Sequence, residues 1–97
     1  MTKKDLIAQI EKIKIERNES NGGLCAFFEM DGEQYWADLA NVMYVGTECM
    51  IFPAKDGDVT SWHEEYSNRG MPITEQALRD CILEFAEERL NDKGYKD

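Results

Sequence analysis

The stretch that decides the fold is LCAFFEMDGEQYWADL, residues 24–39. Leu24 to Met30 and Glu33 to Leu39 are two strand-like runs around Asp31-Gly32, a pair that readily adopts the positive φ angles of a type I′ hairpin turn. A two-residue loop fixes the register. Met30 then faces Glu33, Phe28 faces Tyr35, Ala26 faces Ala37 and Leu24 faces Leu39 on one side. Phe27 opposite Trp36, Glu29 opposite Gln34 and Cys25 opposite Asp38 fall on the other. The first side is apolar and is expected to meet the core; the second is mixed.

Outward from this hairpin, Asn41 to Val45 and Glu48 to Phe52 read as two more strands around Gly46-Thr47. Pro53 either ends the second or puts it at a sheet edge. Lys55-Asp56-Gly57-Asp58 is another turn, and Val59 to Trp62 a short fifth strand. His63 to Tyr66 is compatible with a helical turn, and Asn68-Arg69-Gly70 and Pro72 break the chain again.

Helices flank this meander. Residues 3–17 carry Leu6, Ile7, Ile10 and Ile13 at helical spacing, with Thr2 and Asp5 as an imperfect capping box. Lys12-Ile13-Lys14-Ile15-Glu16 alternates instead with a strand's period, so the last turn has a competing extended reading. Asn18 to Gly23 is a polar loop. Residues 74–92 form the second helix: Thr74 is its N-cap, Ile73 a candidate staple onto Leu78, and Gly94 stands where a C-terminus wants it. Ala77, Leu78, Cys81, Ile82, Phe85, Ala86 and Leu90 line one face. The fold expected is α+β in a single domain over residues 1–97: N-terminal helix, antiparallel meander of four to five strands over 24–62, C-terminal helix, and a short frayed tail at 93–97. Both helices lie on one sheet face in two layers.

The chain of 97 residues has 20 acids against 11 lysines and arginines, a formal net charge of −9. Residues 18–68 hold ten acids and one base, Lys55, so the excess sits on the meander, while residues 1–17 hold five bases against three acids. Such a charge repels nucleic acid and anionic membranes and attracts basic partners. No apolar run approaches the ~20 residues of a membrane span, and the charged start is not followed by the apolar stretch of a secretory signal. Cys25, Cys49 and Cys81 are odd in number and widely spaced, so they do not form a disulfide framework; a cytoplasmic protein is expected.

Chemistry is sparse. One histidine and three cysteines without a C-x-x-C do not make a zinc site, Asp56-Gly57-Asp58 lacks the rest of an EF-hand, and Gly22-Gly23 precedes a strand rather than a helix N-terminus. No cofactor, metal or catalytic residue is expected. The leading functional reading is a small acidic adaptor or inhibitor that binds a protein with a basic surface through Phe27, Glu29, Glu33, Trp36 and Asp38, with Tyr44 and Trp62 as further candidate anchors. It is expected not to be an enzyme, not to bind nucleic acid or membrane directly, and to be a monomer or weak homodimer.

In size and acidity the chain also resembles small accessory and inhibitor proteins of phages and conjugative elements. The resemblance lies in composition, implies an accessory protein or a nucleic-acid mimic, and assigns no residue a role. A third reading is a thiol enzyme pairing Cys49 or Cys25 with His63, although nothing in the local sequence around any cysteine supports it.

Overall fold

The computed structural model describes residues 2–96. Its elements run α1 (Lys3–Ile10), β1 (Glu16–Asn18), β2 (Gly23–Met30), β3 (Glu33–Val42), β4 (Gly46–Lys55), β5 (Asp58–Val59), β6 (Tyr66–Arg69) and α2 (Glu75–Asp92). The six strands form one antiparallel sheet in the order β1-β2-β3-β4-β5, with β6 also pairing to β4. This is the expected α+β arrangement, and both helices pack on the same sheet face. Leu6 and Ile10 of α1 and Leu78, Cys81, Ile82, Phe85, Ala86 and Leu90 of α2 share one core with Ala26, Phe28, Met30, Tyr35, Ala37, Leu39, Cys49 and Ile51 of the sheet.

The first hairpin has the register the Asp-Gly turn dictates. Asp31 and Gly32 have φ angles of 53° and 82°, and the pairs from Met30↔Glu33 to Leu24↔Leu39 are all present. The second hairpin differs from expectation. β3 runs through Asn41 to Val42 without a break, and the reversal falls at Met43-Tyr44-Val45, where the Val42 carbonyl accepts the Val45 N–H. Gly46 and Thr47 open β4 instead of forming the turn. This shift sets Trp36 opposite Phe52 and leaves Tyr44 at φ 67°, a left-handed conformation costly for a bulky residue.

Pro53 lies inside β4, opposite Tyr35. Its carbonyl accepts the Thr60 N–H, so its ring nitrogen points the same way, toward the outer side of β4. There β6 pairs residues 48–51 and β5 pairs residues 54–55, so the missing N–H falls in the gap between them.

α1 is shorter than the 3–17 expected. Thr2 caps it with both halves of the capping box, its hydroxyl accepting the Asp5 N–H and its own N–H donating to the Asp5 carboxylate. The helix closes with the Lys12 and Ile13 N–H groups on the Gln9 and Ile10 carbonyls, after which the alternating Ile13–Glu16 run goes extended. The Arg79 guanidinium of α2 donates to the freed carbonyls of Glu11 and Ile13 at 2.9 and 3.1 Å. Glu16 to Asn18 then adds to the sheet as β1, where a helix end and a loop were expected.

The fifth strand is only Asp58–Val59, so of the expected 59–62 run it contains Val59 alone and it begins at the last residue of the expected turn. Residues 63–65 are not helical, and Tyr66 to Arg69, expected to contain a turn and a break, forms β6 against β4. α2 has the expected bounds within one residue: the Thr74 hydroxyl accepts the Ala77 N–H. At its other end Gly94 and Tyr95 donate to the Asn91 and Leu90 carbonyls, a Schellman closure. The expected frayed tail is instead tied down over its first part. Lys93 reaches the carboxylates of Asp31 and Glu33, and the Tyr95 hydroxyl donates to Asp31 at 2.9 Å. Asp97 lies outside the described residues.

Candidate functional site

The sheet face turned away from both helices carries a second group of aromatic side chains. Alternation along β2, β3 and β4 places Cys25, Phe27 and Glu29, then Gln34, Trp36 and Asp38, then Met50 and Phe52 on this side. Phe27 and Trp36 meet across the strands with ring centroids 6.1 Å apart, and Trp36 stacks on Phe52 at 6.2 Å. Trp62, on the connection between β5 and β6, sets its ring edge-on to Trp36 at 6.3 Å and to Phe52 at 5.1 Å. Phe52 is thereby buried, Trp36 is half-buried, and Phe27 and Trp62 stay 50% and 70% exposed.

The structure brings Phe27, Glu29, Trp36 and Asp38 together and separates Glu33 from them. The hairpin register turns Glu33 to the helix side, where it accepts the Tyr35 hydroxyl at 2.5 Å and an ion pair from Lys93 at 3.1 Å. The Tyr35 hydroxyl and Lys93 hold the Glu33 carboxyl below its ordinary value, and burial first, then Glu33, raises Tyr35. Tyr44 is also remote from the aromatic group, fully exposed at the tip of the β3–β4 hairpin between exposed Met43 and Val45.

The four carboxylates that the register sets on the open face differ in their partners. Glu16 pairs with Lys14, and Glu48 with Arg69 at 2.9 Å. Asp38 accepts the amide side chains of Asn18 at 3.0 Å and of Asn21 at 3.1 Å, neutral donors that clamp the 18–22 loop and leave its charge uncancelled. Glu29 is exposed, with neither a hydrogen bond nor an ion pair among the described residues.

The meander's excess of acid is therefore partly answered from the C-terminal third. Arg69, Arg89 and Lys93 reach four of the ten carboxylates of residues 18–68: Glu48, Glu65, Asp31 and Glu33. Phe52 was missed as a member of the aromatic group because its place depends on where the second hairpin turns. The Asn18 and Asn21 clamp has no local signal, since its partner lies 17 to 20 residues away.

The three cysteines are free, Cys49 and Cys81 in the core and Cys25 half-buried on the open face. Burial pushes the Cys25 thiol up, although the Trp36 indole N–H beside it acts the other way. The neighbouring Cys81 sulfur and burial push Cys49 up. His63 is exposed, while Cys49 is fully enclosed. Among the described residues no group of three or more His, Cys, Asp or Glu side chains is placed to hold a metal ion, and no helix is long and apolar enough to cross a membrane. No family model, curated protein or solved structure matches the chain.

Proposed function

We propose that the protein is a small adaptor or inhibitor that binds another protein through the open sheet face. The observation that carries this reading is the aromatic row Phe27–Trp36–Phe52–Trp62 on the one sheet face that neither helix covers. Exposed aromatics packed on a rigid sheet lose little entropy on binding and bury a large area, the usual make-up of an interface anchor. The carboxylates around them favour a partner with a basic surface and disfavour direct contact with nucleic acid or anionic lipid.

Binding rather than catalysis is supported by the thiols of Cys25 and Cys49, both held toward the unreactive protonated form. Free cysteines suit a reducing compartment, which is our reason for placing the protein in the cytoplasm. The self-repulsion of two such acidic faces argues for a monomer or a weak homodimer.

The test is affinity capture from the native host's lysate with the wild-type chain and with Trp36→Ala and Phe27→Ala, at low and raised salt. Loss of an aromatic anchor is expected to weaken a specific partner by about 30-fold or more, roughly 2 kcal/mol. A partner retained equally by all three chains and indifferent to salt would refute the reading. Phe27 is half-exposed, so its variant keeps the fold and separates lost binding from lost structure.

A further inference from the structure

The charge on the open face is not scattered around the aromatic row; it brackets it. The cross-strand pair Phe27↔Trp36 lies between the pairs Cys25↔Asp38 and Glu29↔Gln34. Two residues along a strand span about 7 Å, so one carboxylate stands about that far to each side of the ring pair. These are the two carboxylates of the face that no cation answers: Glu29 has no partner among the described residues, and Asp38 is held by neutral amides alone. The other two, Glu16 and Glu48, are ion-paired.

From this placement we infer that the open face docks an arginine-bearing segment of the partner, with a guanidinium laid on the exposed Phe27 ring beside the half-buried Trp36 and its N–H groups turned to Glu29. The inference rests on the sheet-face reading above and names the chemistry that reading leaves open. An aromatic face attracts a cation through its quadrupole, and a carboxylate at the ring margin takes the guanidinium's in-plane donors. A planar guanidinium does both at once, while a lysine ammonium is a compact, more strongly hydrated charge that stacks less well. Asp38, fixed by Asn18 and Asn21, cannot swing toward the ligand and acts as a standing field on the far side of the rings. Trp62 walls the third side.

The probe is hexa-arginine, with hexalysine for comparison, titrated at constant ionic strength and followed by the emission of the two tryptophans, Trp36 and Trp62. The chains compared are the wild type, Phe27→Ala, Glu29→Gln and, as an equal change of charge on an exposed position of α2, Glu88→Gln. Hexa-arginine is expected to bind the wild type and Glu88→Gln alike, to lose about 10-fold in affinity with Phe27→Ala and several-fold with Glu29→Gln, and to exceed hexalysine by several-fold. Equal binding by all four chains means that net charge alone holds the peptide and overturns the inference, as does an absence of binding or a preference for hexalysine. If the native partner is lost with Trp36→Ala while hexa-arginine binds all four chains equally, the arginine inference falls and the sheet-face reading stands.

Discussion

The two faces of the sheet carry the same kind of side chain and put it to different ends. On the helix side, Phe28, Tyr35 and Phe85 meet within 4.9 to 6.3 Å, and Leu78, Ile82 and Leu90 close over the sheet. On the open side, Phe27, Trp36, Phe52 and Trp62 pack at similar separations, yet only Phe52 is buried. Ring packing is thus present on both faces and burial on one. Hydrophobic stabilisation scales with area removed from water, so the helix side should carry the stability and the open side should be free for other work.

Substitution can break that contrast. Phe85→Ala removes a ring that meets Phe28, Tyr35 and Tyr66 in the core, and about 3–5 kcal/mol is expected to be lost in urea unfolding. Phe27→Ala on the other face should cost under about 1 kcal/mol by the same measurement, since Phe27 is half in water already. Similar costs at the two sites would mean that the open face is part of the stabilising core. Gly23→Ala tests the sheet between the faces: an added Cβ would stand 2.1 Å from the Leu39 carbonyl oxygen, and a loss of about 3 kcal/mol is expected. A smaller effect comes from acid. Glu33, held by Tyr35 and Lys93, and Asp31, held by Tyr95 and Lys93, are both kept ionised in the fold below the values at which the unfolded chain takes up protons. Their contribution is therefore complete above 4.5 and 3.8 and disappears as the pH falls below those values; a urea midpoint that stays flat from pH 6 to pH 3 would show that these pairs contribute nothing. The smallest expected effect has the opposite sign. Tyr44→Gly relieves a left-handed tyrosine in full solvent and should stabilise by about 0.5 kcal/mol in the same assay, the strain relieved being partly offset by glycine's entropy.

The parts of the fold that could be read from sequence are those whose cause is local. The Asp31-Gly32 turn, the alternation on either side of it and the Thr74 cap act within a few residues, and both elements lie where they were expected. What escaped depends on distant partners. The end of α1 is set by Arg79, more than sixty residues on, and by the pairing of Glu16 with Cys25. The second turn falls at Met43-Tyr44-Val45, with Tyr44 at positive φ as well as Gly46, and this register sets Trp36 opposite Phe52 and stacks the two rings. Tyr66-Ser67-Asn68-Arg69 has little strand propensity of its own and becomes a strand through β4 and the packing of Tyr66 on Phe85. Of the five candidate site residues, four share a face because alternation is local. Glu33 lies outside the group because the same alternation turns it, opposite Met30, to the helix side; its charge alone does not place it.

The gap beside Pro53 bears on how the sheet ends. An unfinished β edge is a template on which another chain can grow, residue by residue, into an aggregate. Between β6 and β5 the outward groups of β4 are the Pro53 carbonyl, already given to Thr60, and a ring nitrogen with nothing to donate. Just before the gap, the Ile51 carbonyl is taken by the Glu65 N–H at 2.7 Å. A strand arriving there would find no donor to pair with and no acceptor left unoccupied, so the break in the sheet's second edge is closed to templated growth by the proline that causes it.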